Sequence, residues 1–356
     1  MFHSLRCKTL NTKAMKTKQY FIGIDVSSES FTASIFKLSD KTIHTFDEHL
    51  SNSIDGYKTL LELLERKHIN KANSVVCLEA TGVYGEGLCY FLCSQQYKVA
   101  LEPPLKVKRS FDESSHKNDK VDSRQIAEYC WRFFDELHIW SPKDEILEQI
   151  STFLSVREQF VRQLTANQNV LAGLKRKYIQ TPLAINMCKD TIENLKENIK
   201  DIDNQIKELI DKDKDYRGMV DKLKSIPGVG LFLAANLLVL TGGFKRTITS
   251  KQLASYLGIC PLEHRSGKSV NRRPRSKGYG PSLMRKLLYL ASLNLRKTQE
   301  DTKKYFFRKV AEGKPGKLVI NNIANKLLKT ICAVIRDKKP YIKNYVSVNP
   351  MILKSA

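Results

Sequence analysis

The stretch Tyr20-Phe21-Ile22-Gly23-Ile24-Asp25-Val26-Ser27-Ser28 decides how the rest of the chain is read. Aliphatic and aromatic residues on both sides of Gly23 mark a buried strand, and that strand ends on an acid. A carboxylate beside a core is costly unless something pairs with it, and a metal ion is the usual partner. Further acids at the ends of neighbouring elements are therefore the feature to look for.

Outward from this strand, Ser30 to Lys37 and Lys41 to Leu50 alternate in polarity, so a three-strand meander is expected. Ile54 to Ile69 carries Leu60, Leu61, Leu63 and Leu64 among charges, an amphipathic helix. Ser74 to Glu79 reads as a fourth strand, again closing on an acid; Glu86 to Gln95 reads as helix, and Lys98 to Leu101 as a fifth strand stopped by Pro103-Pro104. This order predicts a mixed α/β sheet of the ribonuclease H type. Lys106 to Lys120 is polar and basic, a mobile loop by composition, and a helix is expected from Asp119 with Ile126, Ala127, Cys130 and Phe134 on one face. Asp119 and Asp122 are three apart and project from one side of its first turn. Acids there are also favoured by the helix dipole alone.

Asp25, Glu79, Asp119 and Asp122 would then converge at one sheet edge. Four carboxylates that close cannot all ionise unopposed. Mg²⁺, as one or two ions, relieves the repulsion through oxygen ligands and suits phosphoryl transfer. An actin-like or sugar-kinase ATPase also begins with a strand ending in Asp, but it needs glycine soon after, where Val26-Ser27-Ser28 stands here.

Trp140-Ser141-Pro142 marks a boundary, with Ser141 as a possible N-cap. Ile146 to about Tyr178 is helical in pattern, Thr181-Pro182 interrupts, and Ile192, Leu195, Ile199, Ile202, Ile206 and Leu209 step by three and four as in a coiled-coil seam. A long antiparallel helical hairpin follows, either burying its own seam or serving as a dimerisation arm. Leu223 to Gly230 followed by Leu231 to Leu238 has the form of a helix-hairpin-helix element, in which Gly228 and Gly230 expose backbone N–H groups to a phosphate. Lys251 to Leu257 reads as a short helix. Glu263 to Gly280 is dense in Arg and Lys and nearly free of apolar residues, hence a loop, and Ser266 among Arg265, Lys268, Arg272, Arg273, Arg275 and Lys277 is what a phosphodiester nucleophile needs. Ser282 to Arg296 is read as a helix with Leu283, Leu287, Leu290 and Leu293 inward and Arg285 and Lys286 outward, Arg285 in reach of nucleic acid; Gly316 to Val334 is a last amphipathic helix.

The domain plan is a basic arm over 1–18, the acid-bearing α/β domain over 19–140, the hairpin over 141–217, a mainly α serine-bearing domain over 218–340 and a tail over 341–356. Met15 is an alternative start. A formal charge of +23, from 60 Lys and Arg against 37 Asp and Glu, points to a polyanionic partner, with nucleic acid first. Eight cysteines without a CxxC pair read as reduced thiols of a cytosolic protein, and Cys260 with His264 is only half a zinc site. No stretch reads as a membrane span.

Taken jointly, Gly-Ile-Asp25-Val-Ser, Leu-Glu79-Ala-Thr-Gly, Lys117-Asn-Asp119-Lys-Val-Asp122-Ser-Arg, Ser225-Ile-Pro-Gly-Val-Gly230, Leu257-Gly-Ile-Cys-Pro261, Ser266-Gly267 and Ser276-Lys277-Gly278 with Leu283 and Arg285 resemble one family over about Tyr20 to Arg336. It is the family of insertion-sequence transposases that pair a RuvC-like DEDD domain with a C-terminal serine domain, the bridge-RNA-guided recombinases related to pilin-gene invertases. The resemblance implies that Asp25, Glu79, Asp119 and Asp122 are metal ligands and that Ser266 forms a 5′-phosphoserine link to DNA. It also implies a structured bridge RNA pairing with donor and target DNA, and dimers that meet in a tetrameric synapse with a composite active site. The place of action would be the nucleoid in the cytoplasm. The rival readings are a Holliday-junction nuclease using water as nucleophile and a non-catalytic nucleic-acid-binding protein.

Overall fold

The apolar run becomes β1 (Tyr20–Val26) in a computed structural model, which describes residues 18–46, 50–80, 82–111, 119–142, 144–245, 249–260, 262–266, 270–275 and 280–343. For Asp119 and for 262–266 and 270–275 it describes the backbone path alone. The chain divides into two units, residues 1–142 and 143–356.

In the first unit β1 pairs antiparallel with β2 (Ser30–Lys37), and β2 with β3 (Thr42–Thr45) and the short β4 (Leu50–Ser51). On its other side β1 runs parallel to β5 (Ser74–Glu79), and β5 parallel to β6 (Val99–Glu102). The mixed sheet thus has the order β3-β2-β1-β5-β6. Alternation along the strands feeds two cores. Ile22, Ile24, Val76, Leu78 and Val99 pack under α1 (Ile54–Arg66) and α2 (Glu86–Ser94). Phe21, Cys77 and Ala100 face the opposite side, under α4 (Asp119–Arg132) with Ile126, Ala127, Tyr129 and Cys130.

Two expectations change, one within this unit and one just past the boundary. Residues Pro104–Lys108 form a short helix, α3, because Pro104 sits in its first turn, where a missing N–H costs nothing; Lys106 and Lys108 therefore belong to a helix and not to a loop. Residues 112–118 of the expected loop lie outside the described residues. The helix after the boundary is capped by Asp144, whose carboxylate accepts from the Leu147 N–H at 3.3 Å, and not by Ser141.

The second unit opens with α5 (Glu145–Leu174) and α6 (Pro182–Lys212). Arg157, in the first half of α5, pairs with Asp203, in the second half of α6, across the short 175–181 connection, so the two run antiparallel. Of the expected seam, Ile192, Leu195, Ile202, Ile206 and Leu209 are buried and Ile199 is half-buried. The lower seam, from Leu147, Ile150 and Leu154 to Ile206 and Leu209, joins one core with α7 (Lys214–Lys224), α8 (Leu231–Leu240), α9 (Ser250–Tyr256), α10 (Ser282–Thr298), α11 (Glu300–Ala311) and α12 (Gly316–Asp337).

Three corrections belong here. The expected basic loop contains an antiparallel pair, β7 (Leu262–Ser266) and β8 (Val270–Arg275), invisible to periodicity because backbone pairing and not apolar alternation makes it. On α10 the buried stripe is Met284, Leu288, Ala291 and Leu295, while Leu290 is exposed: the helix is turned by one position from the leucine stripe. Finally, α12 is long and apolar enough to cross a membrane by length and composition. Its apolar side, including Val319, Ile323, Leu327 and Ile331, is spent on the protein core.

Candidate active site

β1 and β5 run parallel with Ile24 opposite Leu78, so one step further along Asp25 and Glu79 stand side by side at the strand ends. Asp25 follows Phe21 and Gly23 on the face covered by α4, and Glu79 follows Cys77 on the same face. Helix α4 lies unusually close to that face. A Cβ placed on Gly23 would meet the Ala127 backbone nitrogen at 2.1 Å and the Ser123 carbonyl oxygen at 2.4 Å. Ser34, opposite Gly23 in β2, shares a 2.8 Å hydrogen bond between its Oγ and that of buried Ser123. Small residues on both elements thus bring Asp122, the neighbour of Ser123, over the strand ends.

The electrostatics register the crowding. The Glu79 carboxyl is pushed above the usual carboxylate range, first by burial and then by Asp25, with Lys108 opposing and Asp122 adding to the rise. Among the described residues no hydrogen bond or ion pair reaches its carboxylate. An all-oxygen, anionic donor set of this kind suits a hard divalent cation. No group of three or more His, Cys, Asp or Glu side chains closes to ligand distance among the described residues, and the side chain of Asp119 lies outside them. The side chain of His264, the partner expected for Cys260, also lies outside the described residues.

Two neighbours escaped the sequence reading. Glu102 stands in register with Glu79 and is fully buried. It is satisfied, however: Oε1 accepts from the His138 backbone N–H at 2.9 Å and lies 3.0 Å from His138 Nδ1, and Oε2 is 3.3 Å from Lys106 Nζ. Tyr129 donates its hydroxyl to Oε2 over 3.5 Å. Asn52 is the second. Its Nδ2 donates to the carbonyls of Ser27 and Tyr84, each at 3.0 Å, and its Oδ1 accepts from Tyr57 Oη at 2.6 Å. It thereby ties the loop after Asp25 to the loop after Glu79. The partners that define each role, His138 and Tyr129 for Glu102 and Ser27 and Tyr84 for Asn52, are remote in the chain, so no local pattern signals them.

In the second unit the turn between α7 and α8 separates its two glycines. Gly228 has φ +82°, and a Cβ there would meet the Ala291 carbonyl oxygen at 3.1 Å, so packing against α10 accounts for it. Gly230 stands at the N-terminus of α8 with open space around its Cα. Ser266 is the last residue of β7, paired with Val270; Arg265 is opposite Asn271, Arg272 opposite His264 and Arg275 opposite Leu262, with Arg273 also in β8. Lys268 and Lys277 lie outside the described residues. Arg285, expected to reach nucleic acid, points inward: its Nη1 donates to the Gly280 carbonyl at 2.9 Å and to that of Leu257 at 3.3 Å.

Strand-end acids in a mixed α/β unit, followed by a basic helical unit, are the build of a DNA-processing enzyme. A family model described as a transposase matches residues 22–179, and one described as the transposase IS116/IS110/IS902 family matches residues 220–306. The chain is 28% identical over 330 residues to the pilin gene-inverting protein of Moraxella bovis, covering 91% of this chain and 98% of that one. It is 25% identical over 256 residues to the transposase for insertion sequence element IS1111A of Coxiella burnetii, covering 64% and 69%. The chain belongs to the IS110/IS116/IS902 family of insertion-sequence transposases, so DNA is its substrate.

Proposed function

We propose that this transposase moves its own insertion sequence by way of a phosphoserine–DNA intermediate, with a RuvC-like, ribonuclease H-type acidic domain and a serine domain. The observation that carries the reading is the alignment of Asp25 with Glu79 at parallel strand ends, with Asp122 brought over them by the Gly23–Ala127 approach. The strand order β3-β2-β1-β5-β6 supports the fold assignment.

Asp25, Glu79, Asp119 and Asp122 would hold one or two Mg²⁺ ions. A bound cation supplies charge neutralisation at the scissile phosphate. Asp25 and Glu79 set the phosphate's position through their shared register, and α4 carries the other two acids. The Ser266 hydroxyl attacks phosphorus: a new Oγ–P bond forms, the bond from phosphorus to the 3′ oxygen breaks, the hydroxyl proton passes to a base, and the departing oxygen takes up a proton as a 3′-hydroxyl. Arg265, Lys268, Arg272, Arg273, Arg275 and Lys277 offset phosphate charge. The bond energy is conserved in the 5′-phosphoserine, so resealing needs no ATP. The helical hairpin is read as a coiled-coil dimerisation arm, a tetramer as the synaptic form, and a bridge RNA as the guide, on the strength of the family resemblance.

Trapping of protein on cleaved DNA tests this. Ser266→Ala is expected to lose the covalent adduct, and Asp25→Asn to lose cleavage by at least ~100-fold with DNA binding kept. A free 5′ phosphate in place of the adduct would make the protein a hydrolytic nuclease, and full function of Asp25→Asn without Mg²⁺ would make it a non-catalytic binder.

A further inference from the structure

The hairpin that carries Ser266 is a two-stranded sheet joined to no other strand among the described residues. Such a pair is marginal in water by itself, and here it is built largely of polar and basic residues. Its geometry has to be imposed from its ends.

At the incoming end the Ile259 carbonyl accepts from two side-chain amides one turn apart on α12, Asn321 Nδ2 at 3.0 Å and Asn325 Nδ2 at 3.2 Å. Both acceptor directions of that oxygen are engaged, and the Ile259 side chain is buried in the core. At the outgoing end Gly280 has φ +87°, and a Cβ on it would lie 2.0 Å from the Tyr256 carbonyl oxygen, so the two ends of the segment meet there. Arg285 spans both ends, its Nη1 donating to Leu257 on the way in and to Gly280 on the way out. The backbone on each side of the hairpin is thus held by side chains of α10 and α12, while the core holds those helices.

We propose that Arg285, Asn321 and Asn325 form a clamp that positions Ser266 for attack. The proposal rests on the reading of Ser266 as nucleophile. Leverage is the physical reason. Ser266 ends the five-residue strand β7 (Leu262–Ser266), a lever of about 13 Å at ~3.3 Å per residue, so a tilt of about 4° at its base moves the serine by about 1 Å. A displacement of that size costs about 100-fold in a reaction that depends on near-attack geometry.

The test uses full-length protein with DNA duplexes carrying the element's junctions, and reads the single-turnover rate of covalent adduct formation beside DNA affinity. The paired variant Asn321→Asp with Asn325→Asp keeps side-chain shape but presents oxygens to the carbonyl. Arg285→Lys keeps the charge but lacks the planar group that bridges two carbonyls. Both are expected to slow adduct formation about 100-fold with affinity within about twofold of the parent. Adduct rates within about threefold of the parent would overturn the clamp, as would an Arg285→Lys loss that falls wholly on affinity. If the paired variant loses its thermal transition, the single Asn325→Asp, which leaves Asn321 on the carbonyl, decides by the same two measurements. Failure of the underlying reading shows separately, as an adduct that is absent in the parent or present in Ser266→Ala.

Discussion

Gly23 on β1 and Ala127 on α4 approach so closely that no side chain fits between them, the Cβ position of Gly23 lying 2.1 Å from the Ala127 nitrogen. The obstacle is backbone, which cannot swing away, so Gly23→Ala must push α4 off the sheet. We expect a loss of about 3 kcal/mol or more in the stability of the first unit, read by urea denaturation. Cleavage should fall further than stability explains, because the same movement carries Asp122 away from Asp25.

Glu102 shares register with Glu79 but is satisfied by His138, Lys106 and Tyr129. It should therefore behave as a structural acid. Glu102→Ala is expected to cost about 3 kcal/mol, since Lys106 and the His138 N–H lose their buried acceptor. Glu102→Gln, which keeps the acceptor for His138, should cost about 1 kcal/mol and leave cleavage within a few-fold. Glu79→Gln should do the reverse, abolishing cleavage with little change in melting temperature. A cleavage-dead Glu102→Gln would place Glu102 among the reacting groups.

Arg157 makes a two-pronged contact with Asp203, at 2.6 and 3.0 Å, and lies 4.1 Å from the ring centroid of Phe232. It joins α5, α6 and α8 where the hairpin meets the helical core. Asp203 is partly solvated, so screening limits the ionic share and the stacking carries much of the rest. Arg157→Ala should cost roughly 2 kcal/mol and Arg157→Lys roughly 1 kcal/mol, measured as thermal unfolding of the second unit.

Thiol chemistry gives a map of burial. Cys77, Cys89 and Cys130 are buried; burial pushes the Cys89 thiol up to about 12, and Cys77 is raised first by its hydrogen bond with Cys130 and then by burial. The thiolate is the reactive form, so all three should resist iodoacetamide at pH 8 in the native protein, while the partly exposed Cys188 and Cys260 are modified first. Mass spectrometry of peptides from labelled protein decides this, and early labelling of Cys89 would contradict the packing of α2.

Much of the architecture was legible where burial writes a period into the chain. The strands around Gly23, the amphipathic helix from Ile54 and the Ile192 to Leu209 seam are all found near their expected places. The reading failed where geometry is made by something other than an apolar stripe. The β7–β8 pair is made by backbone hydrogen bonds, and the chain on either side of it is held by Arg285, Asn321 and Asn325, none of which leaves a local pattern. On α10 the leucine stripe misled, because Met284, Ala291 and the buried Ser292 fit the core better at the observed rotation.

By itself the sequence determined the kind of those elements that bury an apolar stripe, the placing of Asp25 and Glu79 at strand ends, and the first turn that carries Asp119 and Asp122, because local periodicity and chain order suffice for these. Only the tertiary structure decided that Asp25 and Glu79 share a register, that Gly23 lets α4 close over them, and that Glu102 is paired with Lys106 and His138 while Glu79 faces Asp25 and Asp122. These are matters of distance between residues far apart in the chain, and a carboxylate's energy depends on which charges and donors stand within a few ångströms of it.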